Sequence, residues 1–272
     1  MKIFVAGVGV LASGLHGWQA SLSVLAGSAP YADTGLVLPP NDLLPSAERR
    51  RTGMPVKIAL AVGCEAIAHA RLDASKLATV FASSAGDGGN MHSICETLAN
   101  NGREVSPTRF HNSVHNAPSG YWSIASHSMA PSTSLACYDA SFAAGLIEAS
   151  TQSLSSGNAV VLIAYDVPYP EPLHAVRPIH AAFGVALVLT PNQTSGSLAE
   201  LEITIQRGHA LSLPTPITDP TLEALRVGTP AARSLPVLAA LANLSSTDSQ
   251  MERKIYLNYL NDSHLAVTLR SC

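Results

Sequence analysis

The sequence predicts an α/β fold built in helix–sheet–helix layers. Short apolar runs rich in Val, Ile and Ala alternate with stretches of helical periodicity through most of the chain. No tandem repeat or low-complexity segment interrupts that alternation. Apolar residues make up 47% of the 272 residues and charged residues only 13%. A chain of this length and composition buries a substantial core and leaves apolar surface for an interface with another chain.

The elements follow in order. Ile3 to Val10 reads as a first buried strand and Gly14 to Ala26 as a helix. Lys2 with Ile3 to Leu15 has the outline of a secretion signal. Its single positive charge and its glycines argue against that, and the run is too short to span a membrane. Val37 to Pro55 is a Pro-rich connection, Val56 to Arg71 a helix, Lys76 to Ser83 a strand and Met91 to Asn100 a helix. Tyr121 to Ser128 leads as a helix into a buried strand, Thr133 to Tyr138, followed by a helix from Ala140 to about Ser155. Strands at Ala159 to Ala164 and Gly184 to Leu189 flank a Pro-rich loop, Val167 to Pro178. Leu201 to Ile205 reads as a strand, Pro214 to Pro230 as irregular and Ser234 to Leu244 as a helix. Lys254 to Tyr259 and Leu265 to Leu269 close the chain as a hairpin.

Several motifs offer chemistry. Gly7-Val-Gly-Val-Leu-Ala12 matches a loose dinucleotide fingerprint with Asp33 downstream. No apolar strand leads into Asp33, so a strand packed closely under a helix is the better reading of the glycines. Arg49-Arg-Arg51 reads as a solvated or paired basic knot rather than as a phosphate site. Ser84-Ala-Gly-Asp-Gly-Gly89 lacks the Lys-Ser/Thr ending of a phosphate loop. His111 and His115 stand four apart, but prolines bracket them and no Glu lies between, so polar lining of a loop or cleft outranks zinc. Cys64, Cys95, Cys137 and Cys272 show no Cys-x-x-Cys spacing, which fits a reduced cytoplasmic setting and no metal. A net charge of −3 gives no reason to expect nucleic acid or an anionic membrane.

The stretch Pro131 to Ala149 organises the rest. It reads as a strand ending at a helix, with Asp139 at the switch, where its carboxylate suits an N-cap. Strand-to-helix turns of this kind present nucleophiles in acyl-transfer folds, yet here the apex is Asp.

At this point the residues resemble a family. Val5-Ala-Gly-Val-Gly-Val10, the Trp18 segment ending Leu25-Ala-Gly27, Arg50-Arg-Thr-Gly-Met-Pro-Val-Lys-Ile-Ala-Leu60 and Phe183-Gly-Val-Ala-Leu-Val-Leu189 occur in its order. Phe110-His-Asn-Ser-Val-His-Asn-Ala-Pro-Ser-Gly-Tyr-Trp122 is the most specific piece. The chain resembles β-ketoacyl synthase-like proteins of the thiolase fold, most closely the chain length factors of bacterial aryl polyene pathways. The resemblance spans about Lys2 to Pro191. It implies a complete first half over residues 1–195 and a reduced second half over 196–272, within one compact unit.

The departures from that family bear on function. Laying Pro131-Ser-Thr-Ser-Leu-Ala136 on the family's approach to its active Cys puts Asp139 at the nucleophile position and Cys137 two residues early. The family's His-Gly-Thr and Lys-x-x-x-Gly-His motifs do not occur. The resemblance therefore implies a non-catalytic chain length factor that needs no cofactor. Such a subunit pairs with a catalytic ketosynthase and meets an acyl carrier protein through the complex. It implies an acyl-tunnel gate among Phe110, His111, Val114 and His115, and a dimer interface including Thr133, Leu135, Cys137 and Tyr138. An acyltransferase using Cys137 stays open as an alternative, as does, further behind, a dinucleotide-dependent oxidoreductase.

Overall fold

Strand β1 spans Lys2–Ala12, and its burial explains why the opening residues read as one apolar run. Ile3 and Val5 point into one core, and so do Val8, Val10 and Ala12. The switch from odd to even positions requires one extra residue. A register shift between Val5 and Gly7 supplies it, as a bulge does. The structure is a computed structural model that describes residues 1–40, 42–100, 102–208, 213–244 and 252–272.

Beyond β1, a short hairpin strand β2 (Leu15–His16) turns into α1 (Trp18–Leu25), so the helix expected from Gly14 starts later. Then come α2 (Ser46–Arg49), α3 (Met54–Ala70), β3 (Ala78–Ala82), α4 (Gly88–Ala99), α5 (Pro107–His111) and α6 (Ala117–Ser126). β4 (Ser132–Leu135), α7 (Ser141–Ser156), β5 (Val160–Asp166), α8 (Leu173–Val176) and β6 (Phe183–Thr190) come next. β7 (Ala199–Arg207), α9 (Pro220–Gly228), α10 (Leu235–Ala242), β8 (Glu252–Asn258) and β9 (Ser263–Ser271) follow.

All nine strands of the described residues join one sheet in the order β4-β3-β5-β6-β1-β7-β9-β8, with β2 paired to β1. β4, β3 and β5 run parallel, which demands crossovers through α4 to α6 and through α7. The other pairings are antiparallel. α3 and α6 pack on one face. α7, α1, α9 and α10 share the core on the other, and that core runs on into β8 and β9. β5 and β6 are buried on both faces, hence their unbroken apolar runs. These are the helix–sheet–helix layers expected from the sequence.

Three readings change. The strand at Thr133 to Tyr138 is shorter, ends at Leu135 and lies half-buried at the edge of the sheet. Pro214 to Pro230 is not wholly irregular: Asp219 caps α9 by accepting from the amides of Thr221 and Leu222. The glycines of β1 lie inside a strand, not in a turn that opens a helix. A Cβ at Gly7 would meet the Ala66 carbonyl and one at Gly9 the Val62 carbonyl, both on α3. Close approach of a helix explains them, and no dinucleotide turn exists there. Asp33 instead accepts from Ser13 and the Gly35 amide in a local loop. Among the described residues, no helix is long and apolar enough to cross a membrane.

Candidate functional site

The turn between β4 and α7 is tight. Leu135 ends the strand, Cys137 is half-buried, and Tyr138 adopts a left-handed backbone at φ 50° as the first residue of a single 3-10 turn, Tyr138–Ala140. A positive φ at a residue with a large side chain costs energy and persists only where its surroundings hold it. Ser141 does much of the holding. Its Oγ accepts from the Cys137 amide (3.0 Å) and donates to the Tyr138 carbonyl (2.8 Å).

Asp139 therefore does not cap α7, whose N-cap is Ala140. Its carboxylate is held instead by two guanidinium groups. Arg177 donates to Oδ1 at 2.5 Å and Arg233 to Oδ2 at 3.0 Å. Arg177 also stacks its guanidinium 3.7 Å above the Tyr138 ring. Burial pulls the Arg233 pKa below its usual value, against the favourable charge of Asp139. One carboxylate thus links the turn to the loop after β5 and to the segment before α10.

A second carboxylate braces the same region from inside. Asp166, at the end of β5, accepts from the Ser84 amide and hydroxyl, from the Ser83 hydroxyl and from the Ala231 amide. Burial outweighs these four donors and pushes its pKa up to about 6. Ser83 also meets the segment between α5 and α6, since His115 Nε2 lies 3.2 Å from its carbonyl oxygen.

The four residues expected at an acyl-tunnel gate do not all face one way. His115 is half-buried against the Ser83 loop, and the exposed His111 packs edge-on against Tyr121. Phe110 and Val114 stand 70% and 52% exposed. The histidines thus find separate partners, and no group of three metal-ligating side chains occurs among the described residues.

The residues expected at a dimer interface lie in the edge strand β4 and in the turn that follows it. Thr133 and Leu135 belong to β4, which pairs only with β3 among the described strands. Thr133 accepts from Gln152 on α7. Tyr138 is largely exposed, and Met129, just ahead of β4, almost wholly so.

Of the basic knot, Arg49 pairs with Asp42 and Arg51 with Glu48. Arg50, Arg51 and Arg109 line a cleft of about 780 Å³ together with Asp87 and Asn90. The Gly-rich loop offers no simple anion cradle, because Asp87 accepts the Asn90 amide itself. The two arginines that hold Asp139 were missed in the sequence. They stand 38 and 94 residues away, and no local pattern links them to it.

Comparison with known proteins places this geometry. Residues 25–250 match the model of the β-ketoacyl synthase N-terminal domain. The chain belongs to the β-ketoacyl synthase family. Among solved structures it is similar to a ketosynthase in complex with its chain length factor from Xenorhabdus doucetiae. That match has a TM-score of 0.72 and 21% identity and covers 99% of each chain. It is also similar to a type II polyketide synthase acyl-carrier protein in complex with its ketosynthase (TM-score 0.72, 13% identity, 100% of this chain and 99% of that one). The ishigamide ketosynthase/chain length factor matches with a TM-score of 0.69 and 13% identity over 99% of each chain. No curated protein sequence matches. At these identities the structures establish the thiolase-like ketosynthase fold.

Proposed function

We propose that this ketosynthase-family chain is a non-catalytic chain length factor. It pairs with a catalytic ketosynthase in the cytoplasm and forms part of the wall around a growing polyene or polyketide chain carried by an acyl carrier protein. The grip of Arg177 and Arg233 on Asp139 carries the reading. Claisen condensation needs a thiolate to hold the acyl chain and donors for the oxyanion. A carboxylate at the family's nucleophile position, neutralised by two guanidinium groups, is neither a free nucleophile nor a free base. The partner therefore supplies the reactive Cys, and this chain supplies shape.

The free edge of β4 and the exposed Tyr138, Phe110 and Val114 support a surface that a second subunit covers. The solved relatives that include a chain length factor are ketosynthase complexes.

The test is Cys137→Ala in a reconstituted pathway. With the ketosynthase, carrier protein and remaining enzymes present, product output stays near wild type, because Cys137 is a turn residue. A loss as deep as that from removing the partner's active Cys, with the complex still assembled, would establish the acyltransferase reading instead.

A further inference from the structure

Four strands away from β4 in the sheet order, the Pro-rich connection lies over α3 and the end of β1. It forms one wall of a partly open cavity of about 700 Å³ that no step proposed above uses. One wall is a single stripe of α3: Lys57, Leu60, Ala61, Cys64 and Glu65. These positions follow the i, i+3, i+4, i+7, i+8 spacing of one helix face. The facing wall is apolar, with Val37, Leu38, Pro39 and Leu43.

The two ends differ in charge. Glu65 stands eight positions after Lys57, or about 12 Å along the axis. Both Glu65 oxygens are engaged, Oε2 by the Val10 amide at 3.0 Å and Oε1 by the Trp18 amide at 2.5 Å. Lys57 is half-buried, and its ammonium has no hydrogen bond or ion pair among the described residues. Arg49 lines the same cavity but is already paired with Asp42. A half-withdrawn ammonium facing an apolar chamber lacks a counter-charge, while the carboxylate at the far end is already satisfied.

We propose that this cavity binds a small amphipathic carboxylate, its carboxylate on Lys57 and its aliphatic or aryl body along Leu60, Ala61 and Cys64. Glu65 repels a second negative charge, so the ligand enters in one orientation. The site is independent of the partner surface at β4 and of the chain-length reading.

Decanoate, kept below its micellar concentration, is the probe, titrated calorimetrically into the full chain with decylamine as the opposite-charge control. One decanoate binds per chain and decylamine does not saturate. Because a hydrogen bond to a charged group is worth more than a kcal/mol, Lys57→Met weakens decanoate about tenfold or more. Ala61→Phe fills the chamber and removes binding. Val37→Trp, which narrows the same space from an exposed loop residue, does likewise should Ala61→Phe fail to fold. Equal binding of decylamine, or decanoate affinity unchanged in folded Ala61→Phe or Val37→Trp protein, would overturn the assignment. So would the absence of saturable decanoate binding to the wild-type chain.

Discussion

At the turn after β4, Asp139 trades the solvation of a helix start for two guanidinium groups whose side chains are only about a fifth exposed (19% and 21%). Removing the carboxylate leaves two half-withdrawn cations facing each other. Asp139→Ala should therefore cost about 1–3 kcal/mol, more than an exposed ion pair is worth and less than a fully buried one. Urea unfolding would show a lowered midpoint with an unchanged slope. An unmoved midpoint would mean that water replaces the lost pairing in full. The Asp was visible in the sequence and so was the strand-to-helix switch. Its partners were not, because an ion pair across 94 residues leaves no periodicity. The helix-start role expected of Asp139 falls to its neighbours. Ala140 is the N-cap, and Ser141 ties the turn through side-chain bonds that local spacing alone does not distinguish from an ordinary helical Ser.

Elements built from strong periodicity were legible, and those set by long-range contacts were not. β5 and β6 read as strands because both faces are buried. α9 was lost among prolines, although Asp219-Pro220 is an N-cap followed by Pro at the first helical position, a signal that names a helix start. β4 read as buried because Leu135 and Ala136 are apolar, yet only a partner strand on each side makes a strand central, and β4 has one. Between these elements Asp166 acts as a brace, joining the loop after β3 to the segment before α10. Its folded pKa of about 6 lies above the unfolded value of about 3.9, so the folded state holds the proton more tightly. The sign follows: this group's contribution is fully present below pH 4, falls as pH rises to about 6 and is flat beyond, a span on the order of 3 kcal/mol. Asp166→Asn removes that titration. The stability of wild type relative to the variant should fall between pH 4 and 6 in chemical unfolding. Parallel curves would show that burial does not govern this carboxyl.

For the whole molecule, the proposed function turns on what covers the β4 edge. Leu135 is half-buried on the free strand and Tyr138 projects beside it. A charge on the exposed Tyr138 would be stranded in any contact, so Tyr138→Asp should abolish a one-to-one complex with a ketosynthase while leaving the isolated fold intact, whereas Leu135→Asp would also disturb the core against which Leu135 packs. Sedimentation of the mixture would report it, and an equally tight mutant complex would move the interface elsewhere. The outward stance of Phe110 and Val114 then acquires a purpose, since a wall closed by two subunits must present bulk at its own surface. A packed wall cannot admit another two carbons without strain of about 1 kcal/mol or more. Val114→Ala should lengthen the product and Val114→Phe shorten it, read from the absorption maximum of extracted pigment. His115, turned inward against the Ser83 carbonyl, should change loop stability before chain length. If substitutions at Phe110, His111, Val114 and His115 all leave chain length fixed in assembled complexes, the subunit supports its partner without measuring the product.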